Sequence, residues 1–527
     1  MAALVLAIGR LVLRDEAGQK QSFRIETLQG KHFSYLSRWK TFDSMQNHFK
    51  KKNLSVLLAE AAEEGAGTLK RRLGGTQLVM LGIGAIIGAG LFSLTGLAAA
   101  HNAGPAVTFS YIIGGVGCAF AGLCYAEFAS MIPIAGSAYT YSYATMGRFI
   151  AWIIGWDLVL EYAVGAATVS VSWSQYLSKF LGYYGVDVPY ALCHSPWESA
   201  TLADGTAVSG MINLPAVFIV VIMSLLLIRG TQQSALVNSV IVVIKVTIVL
   251  VFIALGYGYM NPANHVPYIP ENTGEFGHFG WSGVLRGAGV VFFAFIGFDA
   301  VSTAAQETKN PQRNMPIGIL GSLAVCTLLY VIFSWVMTGV ANYTEFEGSA
   351  APVAVAIGHM PEYSFLNQLI LLGILGGYSS VILVMLLGQS RVFYSMSRDG
   401  LVPSVFSEVH NRFHTPWKSQ LLFMVFVSLF AAFVPVRIVG EMTSIGTLFA
   451  FILVCIGVLI LRYKMPDAPR AFRTPLVPVI PVLGILICFA MMAGLPLDTW
   501  IRLVVWMGLG ILIYYFYSQH RAKDSSN

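Results

Sequence analysis

The stretch Gly82-Ile83-Gly84-Ala85-Ile86-Ile87-Gly88-Ala89-Gly90 decides the fold of this chain. It lies inside an apolar segment of membrane-spanning length, roughly 76–100. Each glycine costs a helix about 1 kcal/mol relative to alanine, and lipid offers no partner to a backbone group that leaves the helix. Helices break at this depth where the unwound backbone lines a binding site. The stretch therefore predicts a broken helix with a ligand site. The alternative is close helix packing through Gly84 and Gly88, which are one turn apart.

The composition is that of an integral membrane protein. Of 527 residues, 56% are hydrophobic and 11% are charged, whereas a soluble protein carries about 25% charged residues. The apolar stretches are long and do not alternate with polar residues, so they predict helices rather than a β-barrel. About twelve stretches approach the length of a span, namely 76–100, 106–131, 149–179, 211–229, 235–259, 282–304, 316–341, 365–390, 418–434, 438–461, 476–494 and 500–518.

The distribution of Lys and Arg residues sets the expected orientation. If the N-terminus lies inside, 27 of the 32 Lys and Arg residues fall in inside segments, and only Lys179 and Arg437 fall in outside loops. Such a bias predicts that both termini are cytoplasmic and that the chain crosses the inner (plasma) membrane many times. Because this topology accounts for the net charge of +6, we expect no nucleic-acid partner.

The first span offers a site for an anion. A break after Ile86 would free the amides of Gly88, Ala89 and Gly90 at the start of a new half-helix. Unpaired amides at a helix N-terminus, together with the positive end of its dipole, suit a carboxylate.

The sixth span carries a corresponding interruption, in the segment 287–299. A break near 295–297 would free the carbonyls of Phe293, Ala294 and Ile296, which suit an ammonium group. Paired interruptions in spans one and six indicate two five-helix halves related by an inverted repeat. Together the two breaks predict a receptor for a zwitterionic α-amino acid.

Lys245 is an ionisable residue near the middle of the fifth apolar segment. A lysine at that depth costs roughly 2.5–3.5 kcal/mol on insertion scales, and such residues are functional by default. We expect Lys245 to gain and lose a proton during transport. The alternative is a permanently charged lysine that is bonded to backbone carbonyls of a broken helix.

Two acids complete the candidate coupling site. Glu161 lies one turn beyond Asp157 and is expected to face the cavity, where it would contact substrate or Lys245. Asp299 follows the break in span six, where it would serve proton coupling or cap the second half-helix. We expect no metal and no cofactor, because the chain shows neither metal-type spacing nor a nucleotide-binding motif. It also lacks the nucleophile elbow and HExxH patterns of hydrolases, so we do not expect an enzyme.

Several motifs resemble the amino acid–polyamine–organocation superfamily, and in particular its bacterial branch related to the cationic amino acid transporters. They run in order through the chain at 69–74, 81–92, 125–143, 156–162 and 295–303. The resemblance implies a LeuT-like fold of five plus five helices with two further helices, which works by alternating access and takes up α-amino acids with protons.

The resemblance also implies roles for individual residues. Ile86, Ala89 and Gly90 would hold the substrate backbone together with Phe293, Ala294 and Ile296. Lys245 would replace a sodium ion of sodium-coupled relatives, and Glu161 and Asp299 match acids near the substrate or the coupling site. This chain departs from the usual pattern at Ala89, in place of a threonine, at Arg148, in place of an acid, and at Arg286, in place of a small residue.

These inferences divide the chain into three parts. We expect a cytoplasmic N-terminal region, 1–75, that is partly disordered or misannotated, a transmembrane amino acid permease domain, 76–518, and a cytoplasmic tail, 519–527. The partners are an α-amino acid and the lipid bilayer, and the functional unit is expected to be a monomer. An exchanger of amino acids or amines is the alternative to proton symport, followed by a non-transporting sensor or a channel.

Overall fold

The computed structural model describes residues 52, 73–132, 134, 136–201, 207–229, 235–349, 351–411, 413 and 415–521. Most of the N-terminal region 1–75 and residues 522–527 of the tail lie outside the described residues. The predicted division of the chain into three parts therefore stays a prediction.

The twelve predicted segments are helical. In chain order they are α1a (Gly75–Ile86) with α1b (90–103), α2 (Val107–Met131), α3 (Arg148–Gly182), α4 (Leu214–Ile228), α5 (Ala235–Tyr257), α6a (Gly280–Val291) with α6b (Asp299–Glu307), α7 (Pro311–Val340), α8 (Ser364–Arg398), α9 (Trp417–Phe433), α10 (Val436–Lys464), α11 (Val479–Gly494) and α12 (Leu497–Ile513). Among the described residues, eight continuous helical stretches are long and apolar enough to cross a membrane, and α1a, α4, α9 and α11 are shorter apolar helices. The predicted all-α membrane fold is confirmed.

Short elements connect the long helices. A helix of nine residues, Ser137–Thr145, joins α2 to α3. Between α3 and α4 lies an antiparallel hairpin of β1 (Ser199–Thr201) and β2 (Ala207–Ser209), in which Ser199 pairs with Ser209.

The helices pack in pairs that are five apart in the chain. Helix α2 lies along α7, α3 along α8 and α4 against α9, while the start of α1b contacts the end of the first half of helix 6. Two five-helix repeats, α1–α5 and α6–α10, would produce this pairing, because each helix then meets its counterpart. Helices α11 and α12 are additional to the repeats, and α11 packs against α2, α6a and α10.

Helix 1 breaks where the sequence predicts. Helix α1a ends at Ile86, and Ile87 is extended, with φ −71° and ψ 106°. The chain becomes helical again around Ala89, and residues Gly90–Leu94 form a π-helical turn.

Helix 6 breaks as well. After α6a, a 3-10 turn, Phe292–Phe295, ends at Ile296, which is extended with φ −61° and ψ 135°. Gly297 follows with φ +114°, a conformation that favours glycine because it has no Cβ.

The glycine-rich stretch also serves packing, although the close approach to α7 is at Gly82 and not at the pair Gly84 and Gly88 that the alternative interpretation named. A Cβ placed on Gly82 would lie 2.4 Å from the hydroxyl oxygen of Ser322 on α7 and 3.0 Å from a methyl carbon of Val301. Gly82 therefore allows α1a to approach α7 closely, while the residues from Ile87 to Ala89 form the break. The stretch therefore contains both a break and a close helix contact, and the ligand site at the break stays a prediction.

Candidate functional site

The two breaks lie directly against each other. A Cβ on Gly90 would lie 2.1 Å from the Cα atom of Ala294, and a Cβ on Gly297 would lie 3.0 Å from the carbonyl oxygen of Ala85. Only glycine permits these two approaches of backbone to backbone. The structure thus brings together the two segments of the predicted substrate site, which are about 200 residues apart in sequence.

The first break presents amides toward this contact. The amides of Leu91 and Phe92 both donate to the carbonyl of Gly88, at 3.2 Å. Because Gly88 supplies the first carbonyl acceptor of the new half-helix, the amides of Gly88, Ala89 and Gly90 precede its first intrahelical hydrogen bond. This is the arrangement that the sequence predicts for a carboxylate.

The second break presents carbonyls, and two of the three predicted ones have donors within the protein. The amide of Ile296 donates to the carbonyl of Phe293 at 3.2 Å. The hydroxyl of Tyr330 on α7 lies 2.9 Å from the carbonyl oxygen of Ala294 and 3.0 Å from that of Ile86. Sequence reasoning missed Tyr330, since nothing in the sequence distinguishes it from other tyrosines of apolar segments.

Lys245 bonds the last turn of α1a. Its ammonium group donates to the carbonyl of Gly84 at 2.8 Å and to that of Ile87 at 3.0 Å. In an unbroken helix the carbonyl of Gly84 would accept from the amide of Gly88, which the break removes. Lys245, 1% exposed, supplies the replacement donor. The bonding geometry is that of the structural alternative, and whether the lysine also exchanges a proton stays a prediction.

The two predicted acids lie together, on α3 and at the start of α6b. Asp299 accepts a hydrogen bond from the hydroxyl of Tyr162 and a weaker one from Ser137, at 3.5 Å. Asp299 is the first residue of α6b, and the structure shows no side-chain hydrogen bond at the N-cap of this helix among the described residues. The carboxyl group of Glu161 is its neighbour.

Glu161 lies in an irregular part of α3. Residues Leu160–Val164 form a π-helical turn, a feature that is frequent at functional sites. Glu161 is fully buried, and among the described residues neither of its carboxylate oxygens has a hydrogen-bond partner by distance and angle. The structure therefore groups Glu161 with Asp299, whereas the bonds of Lys245 go to backbone carbonyls of helix 1.

Three further charged residues lie away from the breaks. Arg286, in the middle of α6a, donates from Nε to the carbonyl of Gly494 at 3.1 Å. Arg148 is the buried first residue of α3, and its Nε lies 3.4 Å from the hydroxyl of Tyr143. Glu127, near the end of α2, is fully buried within the protein and is paired with Arg462.

Comparison with known proteins agrees with this geometry. The family model described as amino acid permease matches residues 73–514. The chain belongs to this family. It is therefore an integral membrane protein of the amino acid permease type, and the resemblance that the motifs predict is confirmed.

Relatives extend over most of the chain. The branched-chain amino acid permease BcaP of Bacillus subtilis (strain 168) is 44% identical over 90% of this chain and 98% of its own length. The methylthioribose transporter of the same organism is 40% identical over the same shares. The vacuolar cationic amino acid transporter 4 of Arabidopsis thaliana is 35% identical over 77% of this chain and 65% of its own length.

Proposed function

We propose that this permease takes up α-amino acids together with protons by alternating access, in the plasma membrane and with both termini cytoplasmic. The observation that carries the proposal is the contact of the two broken helices, with amides at 88–90 on one side and carbonyls at 293–296 on the other. Amides that precede the first turn of a helix suit the substrate carboxylate, and carbonyls at the second break suit its ammonium group.

The side chains around the first break favour an apolar substrate. A Cβ on Gly88 would lie 3.1 Å from a methyl carbon of Val381 on α8, and the rings of Phe92 and Tyr378 lie 6.2 Å apart beside it. Ala89 adds a methyl group where relatives are expected to have a hydroxyl. Since the relative from Bacillus subtilis named for branched-chain amino acids is 44% identical, we propose valine, leucine and isoleucine as the first substrates to test.

Proton coupling is assigned to Lys245, Glu161 and Asp299. All three side chains are at most 1% exposed. Lys245 bonds the end of α1a, and the two acids lie where α3 contacts the start of α6b. Both places would move in alternating access. A proton that binds to or leaves Lys245 or the two acids would change the hydrogen bonds that Lys245 makes to helix 1 and that Asp299 makes to Tyr162. No other coupling ion and no cofactor is proposed.

The decisive experiment is uptake into proteoliposomes. Labelled L-isoleucine should accumulate inside when the outside is acidic, and collapsing the proton gradient should return the internal level to equilibrium. Uptake that is indifferent to the gradient but demands amino acid on both sides would establish an exchanger instead.

A second candidate substrate has a specific observation behind it. The relative that is 40% identical is named for methylthioribose, which lacks the zwitterion of an amino acid. Direct binding of L-isoleucine, of L-arginine and of methylthioribose, each measured by thermal shift, separates the three substrate classes. If only methylthioribose bound, the assignment of the amides and carbonyls to an amino acid would be rejected.

A further inference from the structure

A groove lies between the first turns of α7 and the loop that joins α10 to α11. Its volume is about 630 Å³, within the range of about 300–1,000 Å³ that ligand pockets occupy. Its lining includes Arg313, Pro316, Ile317 and Leu320 on the helix and Ala471 and Phe472 in the loop. The helical positions follow one another at intervals of one turn, so they share one face of α7. The groove therefore runs along this helix for about two turns.

The loop side of the groove is anchored to α2. The amide of Phe472 donates to the hydroxyl oxygen of Ser130 at 3.3 Å. On either side of it, the guanidinium group of Arg470 lies 3.0 Å from the carboxylate of Glu127, and the amide of Thr474 donates to that carboxylate at 2.8 Å. Because this wall is fixed before a ligand arrives, little ordering has to accompany binding.

The groove has a polar end and an apolar end. Arg313 is exposed at the polar end, and its guanidinium group has no acceptor among the described residues. Ile317, one turn further along, is 44% exposed although it lies in a helix that is long and apolar enough to cross a membrane. An exposed apolar side chain in such a helix meets lipid. The groove therefore fits a ligand with an apolar chain and a negatively charged head.

The charges around the polar end are mainly positive. In the described segments 308–313 and 465–474, the exposed cations include Lys309, Arg313 and Arg473, and the exposed acid is Asp467. Both segments are cytoplasmic in the proposed orientation. Basic pockets at the cytoplasmic ends of membrane helices recruit acidic lipid head groups, because the phosphate is attracted to the cations while the chains stay in the bilayer.

We propose that this groove binds an anionic phospholipid of the cytoplasmic leaflet. Its phosphate lies at Arg313, and an acyl chain lies against Ile317, Leu320 and Phe472. The bound lipid joins α7, which packs on α1a, to the loop that is anchored to α2. It therefore stabilises the folded protein. This site goes beyond the proposed transport of amino acids and requires no substrate.

The test uses the purified full-length protein in a neutral detergent, without any amino acid. Dioleoyl phosphatidylglycerol should raise the melting temperature at concentrations at which dioleoyl phosphatidylcholine, with the same chains, does not. Native mass spectrometry should show one phosphatidylglycerol retained. Arg313→Gln should weaken this binding about fivefold, the effect of one basic side chain near an anionic surface. Arg313→Lys, which keeps the charge, should bind nearly as the wild type does.

Arg398→Gln is the matched control. Arg398 is also an exposed arginine at the end of a long helix, α8, but it does not line the groove. We expect its removal to leave the affinity for phosphatidylglycerol unchanged. Ala471→Leu is a second test that keeps every charge. Its larger side chain fills part of the groove, and because Ala471 is exposed the fold should tolerate it. Phosphatidylglycerol should bind more weakly to this variant.

Selective retention of phosphatidylglycerol that is weakened by Arg313→Gln and by Ala471→Leu supports the proposal. Equal stabilisation by the two lipids, or an equal loss in Arg398→Gln, would overturn it. Retention of a polypeptide in place of the lipid would also overturn it. If Arg313→Gln does not fold, an unchanged affinity in Ala471→Leu rejects the site. Since lipid binding is measured without substrate, its failure leaves the proposed function standing, and failure of amino acid uptake leaves the lipid site standing.

Discussion

The ammonium group of Lys245 lies 2.8 Å from the carbonyl oxygen of Gly84, in the place that a backbone amide would take if helix 1 continued. The lysine thus compensates for the break that creates the binding site. Two roles follow from this position. In the structural role Lys245 donates hydrogen bonds to helix 1, and in the coupling role it exchanges a proton. Substitutions of Lys245 distinguish the two roles.

Lys245→Arg separates the two roles. An arginine keeps the charge and the donors but does not lose its proton in proteins. We expect substrate binding and counterflow to persist within a few fold, and proton-driven accumulation of L-isoleucine to be lost. Lys418→Arg is the control, since Lys418 pairs with Glu408 at the surface. Accumulation equal to the wild type in Lys245→Arg would exclude proton exchange at this residue.

Lys245→Ala tests the structural role. The carbonyls of Gly84 and Ile87 would be left without their donor in a buried place, which costs about 1–3 kcal/mol for each unsatisfied group. We expect the melting temperature to fall and both uptake and counterflow to be lost. Unchanged stability would mean that water or a rearranged helix replaces the lysine.

Glu161→Gln tests the acidic part of the coupling site. Glutamine keeps the size of the side chain but carries no exchangeable carboxyl proton. We expect counterflow to continue while uptake becomes insensitive to the proton gradient, because the group beside Asp299 no longer titrates. Asp157→Asn is the matched comparison, as it lies one turn away on α3 and is equally buried. An equal loss of gradient sensitivity in Asp157→Asn would show that the coupling proton is not specific to Glu161.

The sequence predicts the breaks well because their cause is local. Glycines such as those at 82–90 and at 297 weaken any helix. In an apolar segment of membrane-spanning length they are unexpected, so they predict an interruption of the helix. The depth of Lys245 is likewise a property of one apolar segment. The helical fold and the family follow from such local features, and both are confirmed.

The contacts of the site are not predictable in this way. The hydrogen bond of Tyr330 to Ile86 joins residues 244 apart in sequence, and that of Tyr162 to Asp299 joins residues 137 apart. In the sequence, neither tyrosine differs from other tyrosines of apolar segments. Glu127 shows the same limit, because no residue near it in the sequence indicates its partners. Its burial depends on arginines more than 330 residues away. The sequence analysis also gave no indication of the π-helical turn around Glu161.

Gly90→Ala tests whether the contact of the two breaks is needed. The added methyl carbon would lie 2.1 Å from the Cα atom of Ala294, so one backbone would have to move. We expect loss of L-isoleucine binding of at least tenfold, measured by thermal shift and by uptake. Gly376→Ala is the control, because a Cβ there meets nothing within 4 Å in the part of the chain that the structure describes. Normal binding in Gly90→Ala would show that the segments need not touch.

Glu127→Gln separates stability from transport. The carboxylate of Glu127 is fully buried and accepts two hydrogen bonds of 2.9 Å from Arg462 and one of 2.8 Å from the amide of Thr474, while Arg470 lies 3.0 Å away. It joins α2 to α10 and to the loop that follows. Removing its charge leaves two guanidinium groups without their counter-ion, and breaking a buried pair costs about 3–5 kcal/mol.

We therefore expect Glu127→Gln to lower the melting temperature and the yield of folded protein without changing the Kd for substrate, because the cluster touches neither break. Glu408→Gln, which removes an exposed partner of Lys418, should change stability by no more than about 1 kcal/mol. A changed Kd in Glu127→Gln at a temperature where the protein is fully folded would mean that this cluster influences the position of the broken helices. Since α10 contacts the 3-10 turn before the break in helix 6, that result would identify α10 as the connecting element.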